Sequence, residues 1–292
     1  MTITRTKAFL TLRAGSSTDA QACGEICYEA FQQISQQHGF PSDFPLPETT
    51  QRMMAMLFSH PGVYSVVAES EGQIVGSNFL WEESVIAGVG PITVKPHIQN
   101  ANVGKRLMEA VLERAQQKGC AGVRLVQAAF HNRALSLYTK LEFDVQEPLA
   151  NLQGSPLAIA ILGHTVRPAT AADLAACNRL CQRVHGFDRS HELQHAIQQG
   201  TATVVENGDR ITGYATLIGF FGHAVGESNA DLKALIGAAR TFEGAGFLLP
   251  TRNGELFRWC LQHGLRVVQP LTLMSLGLYN QPQGAFLPSI IF

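Results

Sequence analysis

The chain repeats itself, and the repeat limits what it can fold into. Leu12-Arg13-Ala14, Asp19, Cys23 and Cys27 return as Val166-Arg167-Pro168, Asp173, Cys177 and Cys181 at a constant offset of 154 residues. VVAESEGQIVG (66–76) returns as TVVENGDRITG (203–213) at an offset of 137, so the second copy is 17 residues shorter between its first helix and this hairpin. HNRALSLYTKLEFDV (131–145) has a weaker echo in TRNGELFRWCLQHGLRVV (251–268). Three echoes in one order imply two copies of a single α/β unit. The seam lies near 152–163, where Gly154, Pro156 and Gly163 interrupt the pattern. The expected domains are therefore 1–154 and 155–292.

Hydrophobic periodicity and turn residues predict the same element order in each copy. In the first copy they predict a strand at 9–13, a helix capped near Thr18, and a second helix over about 50–59. Strands at 64–69 and 74–82 follow, joined by a Glu-Gly turn, then a strand at 88–95 and a long helix at 103–118 ended by Gly119. A strand at 122–127 and a helix at 132–141 complete the copy. Strands joined first by a hairpin and then by a crossover helix imply a mixed sheet, fold class α/β. The C-terminal QPQGAFLPSIIF is expected to pack as an edge strand.

Charge excludes some functions. Among 292 residues, 22 Lys and Arg face 23 Asp and Glu, without the basic excess that a nucleic-acid binder shows. No apolar run approaches the roughly 18 residues of a membrane span, and the N-terminal apolar run is too short for a signal peptide. A cytoplasmic monomer or homodimer is expected. The six cysteines form no Cys-x-x-Cys pair, so a zinc ribbon is excluded. Cys23/Cys27 and Cys177/Cys181 stand four apart, each pair on one helix face, and are expected in the core.

The segment ITVKPHIQNANVGKRLMEAVLERA (92–115) carries the chemistry. A strand ends at Val94, Pro96 breaks it, and Gln99-Asn100-Ala101-Asn102-Val103-Gly104 leads into an amphipathic helix. Such a turn exposes backbone N–H groups at a helix N-terminus, where the dipole favours an anion such as a pyrophosphate. Lys105 and Arg106 add positive charge.

This segment resembles the GNAT superfamily of acyl-CoA-dependent N-acyltransferases, whose signature is Gln/Arg-x-x-Gly-x-Gly/Ala after a strand ending in Val-x-Pro. Gln99 and Gly104 match, and Asn102 replaces the middle glycine. NRALSLYTKLEF (132–143) resembles the family's Asn-x-x-Ala-x-x-x-Tyr-x-x-x-Gly-Phe pattern, with Glu142 in the glycine position. The resemblance implies two tandem GNAT-like folds and acetyl-CoA as co-substrate. It implies that Ile92, Thr93 and Val94 lie along the pantetheine arm, with a backbone N–H near Thr93 or Val94 as oxyanion donor. It places the pyrophosphate on Gln99, Asn100, Ala101, Asn102, Val103, Gly104 and Lys105. Asn132 and Ala134 would contact the cofactor at the next helix start, and Tyr138 would donate a proton to the departing thiolate. Glu82, Glu83 and His97 are the candidate bases for the amine, with no choice among them. The acceptor is expected to be a small-molecule or peptide amine.

The second copy matches as scaffold alone. FFGHAVGESNADLKALIG (220–237) lacks the Gln/Arg-x-x-Gly-x-Gly spacing, and the tyrosine position falls at Trp259 or Cys260. Two other readings stay open. His191-Glu192-Leu193-Gln194-His195 matches the zinc-peptidase His-Glu-x-x-His, although no metal site is expected from its short helix and charged flank. A protein that binds acyl-CoA without turnover is the other.

Overall fold

Arg13 and Arg167 show how far the repeat reaches into the structure. A computed structural model describes residues 10–98 and 102–291. In it Arg13 donates two 2.8 Å hydrogen bonds to Asp19 and two, at 2.9 and 2.7 Å, to Glu69. Arg167 does the same with Asp173 (2.8 and 2.8 Å) and Glu206 (3.0 and 2.6 Å). Each aspartate also accepts a 2.8 Å bond from a backbone N–H three residues earlier, at Ser16 or Thr170. The first helical segment is therefore capped from Ser16, not from Thr18. The reason is that Asp19 sits where it can reach back and close a capping box.

Contacts divide the chain into two compact units, one running to Glu83 and resuming over Ala87–Val123, the other formed by Ser84–Ile86 and the chain from Arg124 onward. In the first unit the elements are β1 (Leu10–Ala14), α1 (Ala20–His38), α2 (Pro47–Ser59), β2 (Val63–Ser70), β3 (Gln73–Trp81), β4 (Ile86–Val89), β5 (Thr93–Val94) and α3 (Val103–Gln117). β1, β2, β3 and β4 are successive antiparallel neighbours, and β5 also pairs with β3. The strand expected over 88–95 is thus two pieces, broken at Gly90-Pro91-Ile92, where proline removes a ladder donor.

α2 starts at Pro47, three residues before its expected beginning, because proline fits the first helical position. Its Thr50 hydroxyl donates a 2.8 Å hydrogen bond to the Gly24 carbonyl on α1. A Cβ at Gly24 would lie 2.7 Å from Gln51 Cα, so the two helices approach at a glycine. Cys23, Cys27, Met54, Leu57, Val67 and Phe79 form the core between these helices and the sheet. Both cysteines are fully buried, as their helical spacing required.

The second unit takes β6 (Gly122–Ala128), α4 (Asn132–Lys140), β7 (Asp144–Gln153), β8 (His164–Pro168), α5 (Leu174–His185), α6 (Ser190–Gln199), β9 (Thr203–Asn207) and β10 (Arg210–Ala215). It continues with β11 (Ala224–Gly226), α7 (Asn229–Ala238), β12 (Phe247–Pro250), α8 (Gly254–Gln262), β13 (Arg266–Gly277) and β14 (Ala285–Leu287). β14, β11, β10, β9 and β8 form a five-stranded sheet in that order. The C-terminal segment is its edge strand, as expected, with Val225 opposite Phe286.

The other strands of this unit run β6-β13-β7-β12. β13, the last strand of the second copy's α8 hairpin, lies between β6 and β7 of the first copy. β7 in turn lies between β13 and the second copy's β12. The copies exchange the strands that follow their last helices, β7 and β13. Compactness for this reason does not follow the sequence seam at 154/155: the strands that close one copy's sheet are supplied by the other.

Candidate functional site

The cofactor-binding residues expected in the first unit converge on β5 and the start of α3. Thr93 pairs with Ser77 and Val94 with Gly76 on β3, and Lys95 N–H donates a 2.9 Å bond to Val75 O. Gly76 is required here, because a Cβ would lie 2.6 Å from Thr93 O. Ile92 lies in the break just before β5, and among the described residues no second strand pairs with β5. Gln99, Asn100 and Ala101 lie outside the described residues.

Asn102 precedes α3 with φ +59° and ψ +12°, the left-handed conformation that glycine adopts freely and asparagine tolerates. Its side chain caps nothing, and the first turn of α3 contains no acid. Among the described residues, the N–H groups of Val103, Gly104 and Lys105 therefore begin a helix without a side-chain cap. Val103 is buried and Lys105 exposed, within 3.5 Å of Glu109 one turn on. Arg106 is employed elsewhere, donating to the Leu10 carbonyl at 2.7 Å.

In the second unit, Asn132 opens α4 on the surface, and its carbonyl accepts from Ser136 Oγ at 2.8 Å. Ala134, two residues along, is half-buried. Tyr138 is 6% exposed, beside Phe143 with ring centroids 6.1 Å apart. Burial pushes its phenol above the ordinary value, so it stays protonated at neutral pH. Glu142 has φ +68°, again a left-handed residue where the motif has glycine. Both departures from the glycine pattern thus keep the backbone that glycine would supply.

The second copy differs at each of these points. α8 matches α4 residue for residue, which puts Cys260 where Tyr138 stands and Gly264 (φ +86°) where Glu142 stands. The buried Cys260 thiol, raised to about 12 by desolvation, is no substitute for a phenol. α7, the counterpart of α3, is closed by its own side chains. Asp231 accepts 2.8 Å bonds from Ser228 N–H and Oγ, forming a capping box. Nothing in the motif comparison pointed to Asp231, although Ser-x-x-Asp before an apolar run is itself a helix-start signature.

Two candidate roles are corrected by geometry. Glu82 receives two 2.7 Å bonds from Arg114 and lies 3.4 Å from Lys118. The Arg114 hydrogen bonds hold its carboxyl below the usual range, which makes it an ion-pair anchor and a poor base. Glu83 is half-buried and His97 exposed. Glu192 of the His-Glu-x-x-His segment accepts from Arg189 at 2.7 and 2.6 Å and lies 3.3 Å from His223 Nδ1. Its carboxylate is held by Arg189, so the zinc-peptidase reading loses its general base.

The strands and helices form a mixed α/β fold. Residues 28–143 match the family model of the acetyltransferase (GNAT) family. The fold likeness extends over both copies. A presumed acetyltransferase from Pyrococcus horikoshii superposes with a TM-score of 0.71 over 94% of each chain, at 16% identity. A GCN5-related N-acetyltransferase from Sphaerobacter thermophilus gives 0.61 over 93% of this chain and 96% of that one, also at 16% identity. At such identities the likeness is one of fold. No curated protein sequence matches the chain. Among the described residues, no helix is long and apolar enough to cross a membrane.

Proposed function

We propose that the chain is an acetyl-CoA-dependent N-acetyltransferase that acetylates a primary amine of a small molecule or peptide by direct attack. The observation that carries this reading is the α3 start: left-handed Asn102 and, among the described residues, a first turn with neither a side-chain cap nor an acid. A diphosphate accepts hydrogen bonds from such N–H groups and is favoured by the helix dipole. In this reading Gln99, Asn100, Ala101, Asn102, Val103, Gly104 and Lys105 hold the diphosphate. Ile92, Thr93 and Val94 line the pantetheine arm, in the manner of strand addition. Asn132 and Ala134 contact the cofactor from α4.

Acetyl-CoA supplies an activated thioester. The amine's nitrogen forms the new C–N bond as the C–S bond breaks, the Tyr138 hydroxyl donates its proton to the departing sulfur, and the proton that the new amide nitrogen releases restores the phenol. The amine must first lose a proton, for which Glu83 and His97 are the remaining candidates. One acyl-CoA binds per chain, because α7 is closed by Ser228 and Asp231 and Cys260 replaces the phenol. A cytoplasmic monomer or homodimer fits this chemistry.

Thiol release from acetyl-CoA, measured against a panel of polyamines, amino acids, aminoglycosides and peptides, tests the proposal. Amine-dependent release with a mass gain of one acetyl group on the amine is expected. Tight acetyl-CoA binding without release for any amine would replace the enzyme by a binder.

A further inference from the structure

The repeat gives each copy the same backbone edge, and the chain itself occupies one of the two. On β3, Gly76 lies opposite Val94 and Ser77 opposite Thr93. The offset of 137 carries these to Gly213 and Tyr214 on β10, which lie opposite Gly226 and Val225 of β11. The next hydrogen bond repeats as well: Lys95 N–H donates to Val75 O and Glu227 N–H to Thr212 O, both at 2.9 Å. Val225-Gly226 is therefore the register counterpart of Thr93-Val94. Among the described residues no strand takes the far edge of β5, whereas β14 takes that of β11.

The segment on the second edge is held as a bound peptide would be. Ala285 lies opposite Gly226, Phe286 opposite Val225 and Leu287 opposite Ala224 in an antiparallel ladder. All three are buried, and the Phe286 ring meets that of His185 at 5.2 Å with the planes nearly perpendicular. Gly284 sets the approach: a Cβ there would lie 2.9 Å from Gly226 O and 2.8 Å from Val184 Cγ2. Outside β14, Gln283 N–H donates to Val184 O and Ile290 N–H to Phe220 O, each at 2.8 Å. A cavity of ≈ 330 Å³ remains beside the segment, lined by Ser228 before α7 and Asn253 before α8. Main-chain pairing along an edge, with side chains in flanking pockets, is how strand addition recognises a peptide.

We propose that a peptide site has replaced the pantetheine site in the second copy: the β11 edge receives extended backbone, and Gly284–Leu287 is its resident ligand, held in cis. The comparison with pantetheine rests on the acyl-CoA reading of β5, but the peptide site does not. The peptide that fits has glycine where Gly284 stands and an aromatic residue two places on. A resident strand also leaves acyl-CoA no backbone edge on β11, a reason separate from Asp231 and Cys260. The segment is a separable part, whose contacts a free peptide can remake.

A protease site inserted between the exposed Gly277 and Leu278 lets the full chain fold before it is cut. A fluorescent peptide of residues 278–291 is then added, and anisotropy follows its exchange with the cut segment. Saturable exchange at one peptide per chain is expected. The peptide carrying Gly284→Val binds about tenfold or more weakly, because its side chain overpacks against Gly226 and Val184. If cutting unfolds the protein, hydrogen exchange on the uncut chain decides. There the amides of 285–287 exchange as one unit, at least about tenfold faster than those of β10, as a separable segment does. Calorimetry with acetyl-CoA reads the first copy separately: peptide exchange without acetyl-CoA binding keeps the peptide site and removes the cofactor reading. No exchange in a folded cut protein, equal affinity for the Gly284→Val peptide, or opening of 285–287 with global unfolding alone overturns the proposal.

Discussion

Ser228 and Asp231 close the first turn of α7 on each other, with both the backbone N–H and the hydroxyl of Ser228 bonded to one Asp231 oxygen at 2.8 Å. The other Asp231 oxygen accepts from the Thr212 hydroxyl. An anion approaching this helix meets a buried carboxylate, whereas among the described residues the start of α3 offers neither a side-chain cap nor a first-turn acid. The two copies share a scaffold and differ at the helix start.

Asn102→Asp places a negative charge at the open turn and weakens acetyl-CoA binding by about tenfold, the scale of ~1–2 kcal/mol for charge at a helix terminus. Asn102→Gly keeps the left-handed backbone and leaves binding within about threefold of the parent. Calorimetry measures both. Equal affinity for Asn102→Asp and the parent would remove the diphosphate from this turn.

Tyr138→Phe lowers turnover on the order of 10²-fold while KM for acetyl-CoA changes little. Burial raises the Tyr138 pKa above the ordinary tyrosine value. Its proton is therefore retained from pH 6 to about pH 10, and any loss of rate on the basic side within that window has another source. A pH–rate profile of parent and variant checks this. A turnover number unmoved by the substitution eliminates the tyrosine as acid.

Asp19 contributes stability that depends on pH in a known direction. Hydrogen bonds from Arg13 hold its carboxyl at about 2, below its ordinary 3.8. A lowered folded-state pKa gives stability that is complete above about pH 4 and lost as pH falls toward 2. Asp19→Asn is expected to cost ~1–2 kcal/mol at pH 7 and little at pH 2, read from denaturant unfolding at both pH values. An equal cost at both would assign the loss to packing.

Separation at the sequence seam is expected to fail. A fragment of 1–154 lacks β13, which lies between its β6 and β7, and 155–292 lacks β7, which lies between β13 and β12. Each exposes unpaired strand edges and aggregates alone. Coexpression of the two pieces restores a soluble complex. A monodisperse, cooperatively unfolding 1–154 fragment would refute the exchange.

Much was legible in the chain because the signals are local. Cysteines four apart marked a buried helix face, and Gly119 ended a helix. Asn102 and Glu142, misfits against the glycine pattern, both proved to occupy left-handed backbone. Helix starts were read less well. Ser16 and Pro47 took positions that simple periodicity gave to Thr18 and residue 50, because side-chain caps and proline at the first position shift a boundary without altering the hydrophobic period. The expected ligands Gln99, Asn100 and Ala101 fall outside the described residues.

By itself the sequence determined the duplication, the alternation of helices and strands, and which copy keeps the turn and the tyrosine, since each depends on residues close together in the chain. Tertiary structure alone decided which strands lie side by side. Pairing of β13 with β7 joins residues more than a hundred positions apart, and strand edges are compatible with many partners until packing selects one. It also decided the fate of Glu82 and Glu192, whose carboxylates looked free for chemistry and are held by Arg114 and Arg189. A charged side chain takes its role from the groups folded against it, and its position in the sequence does not name them.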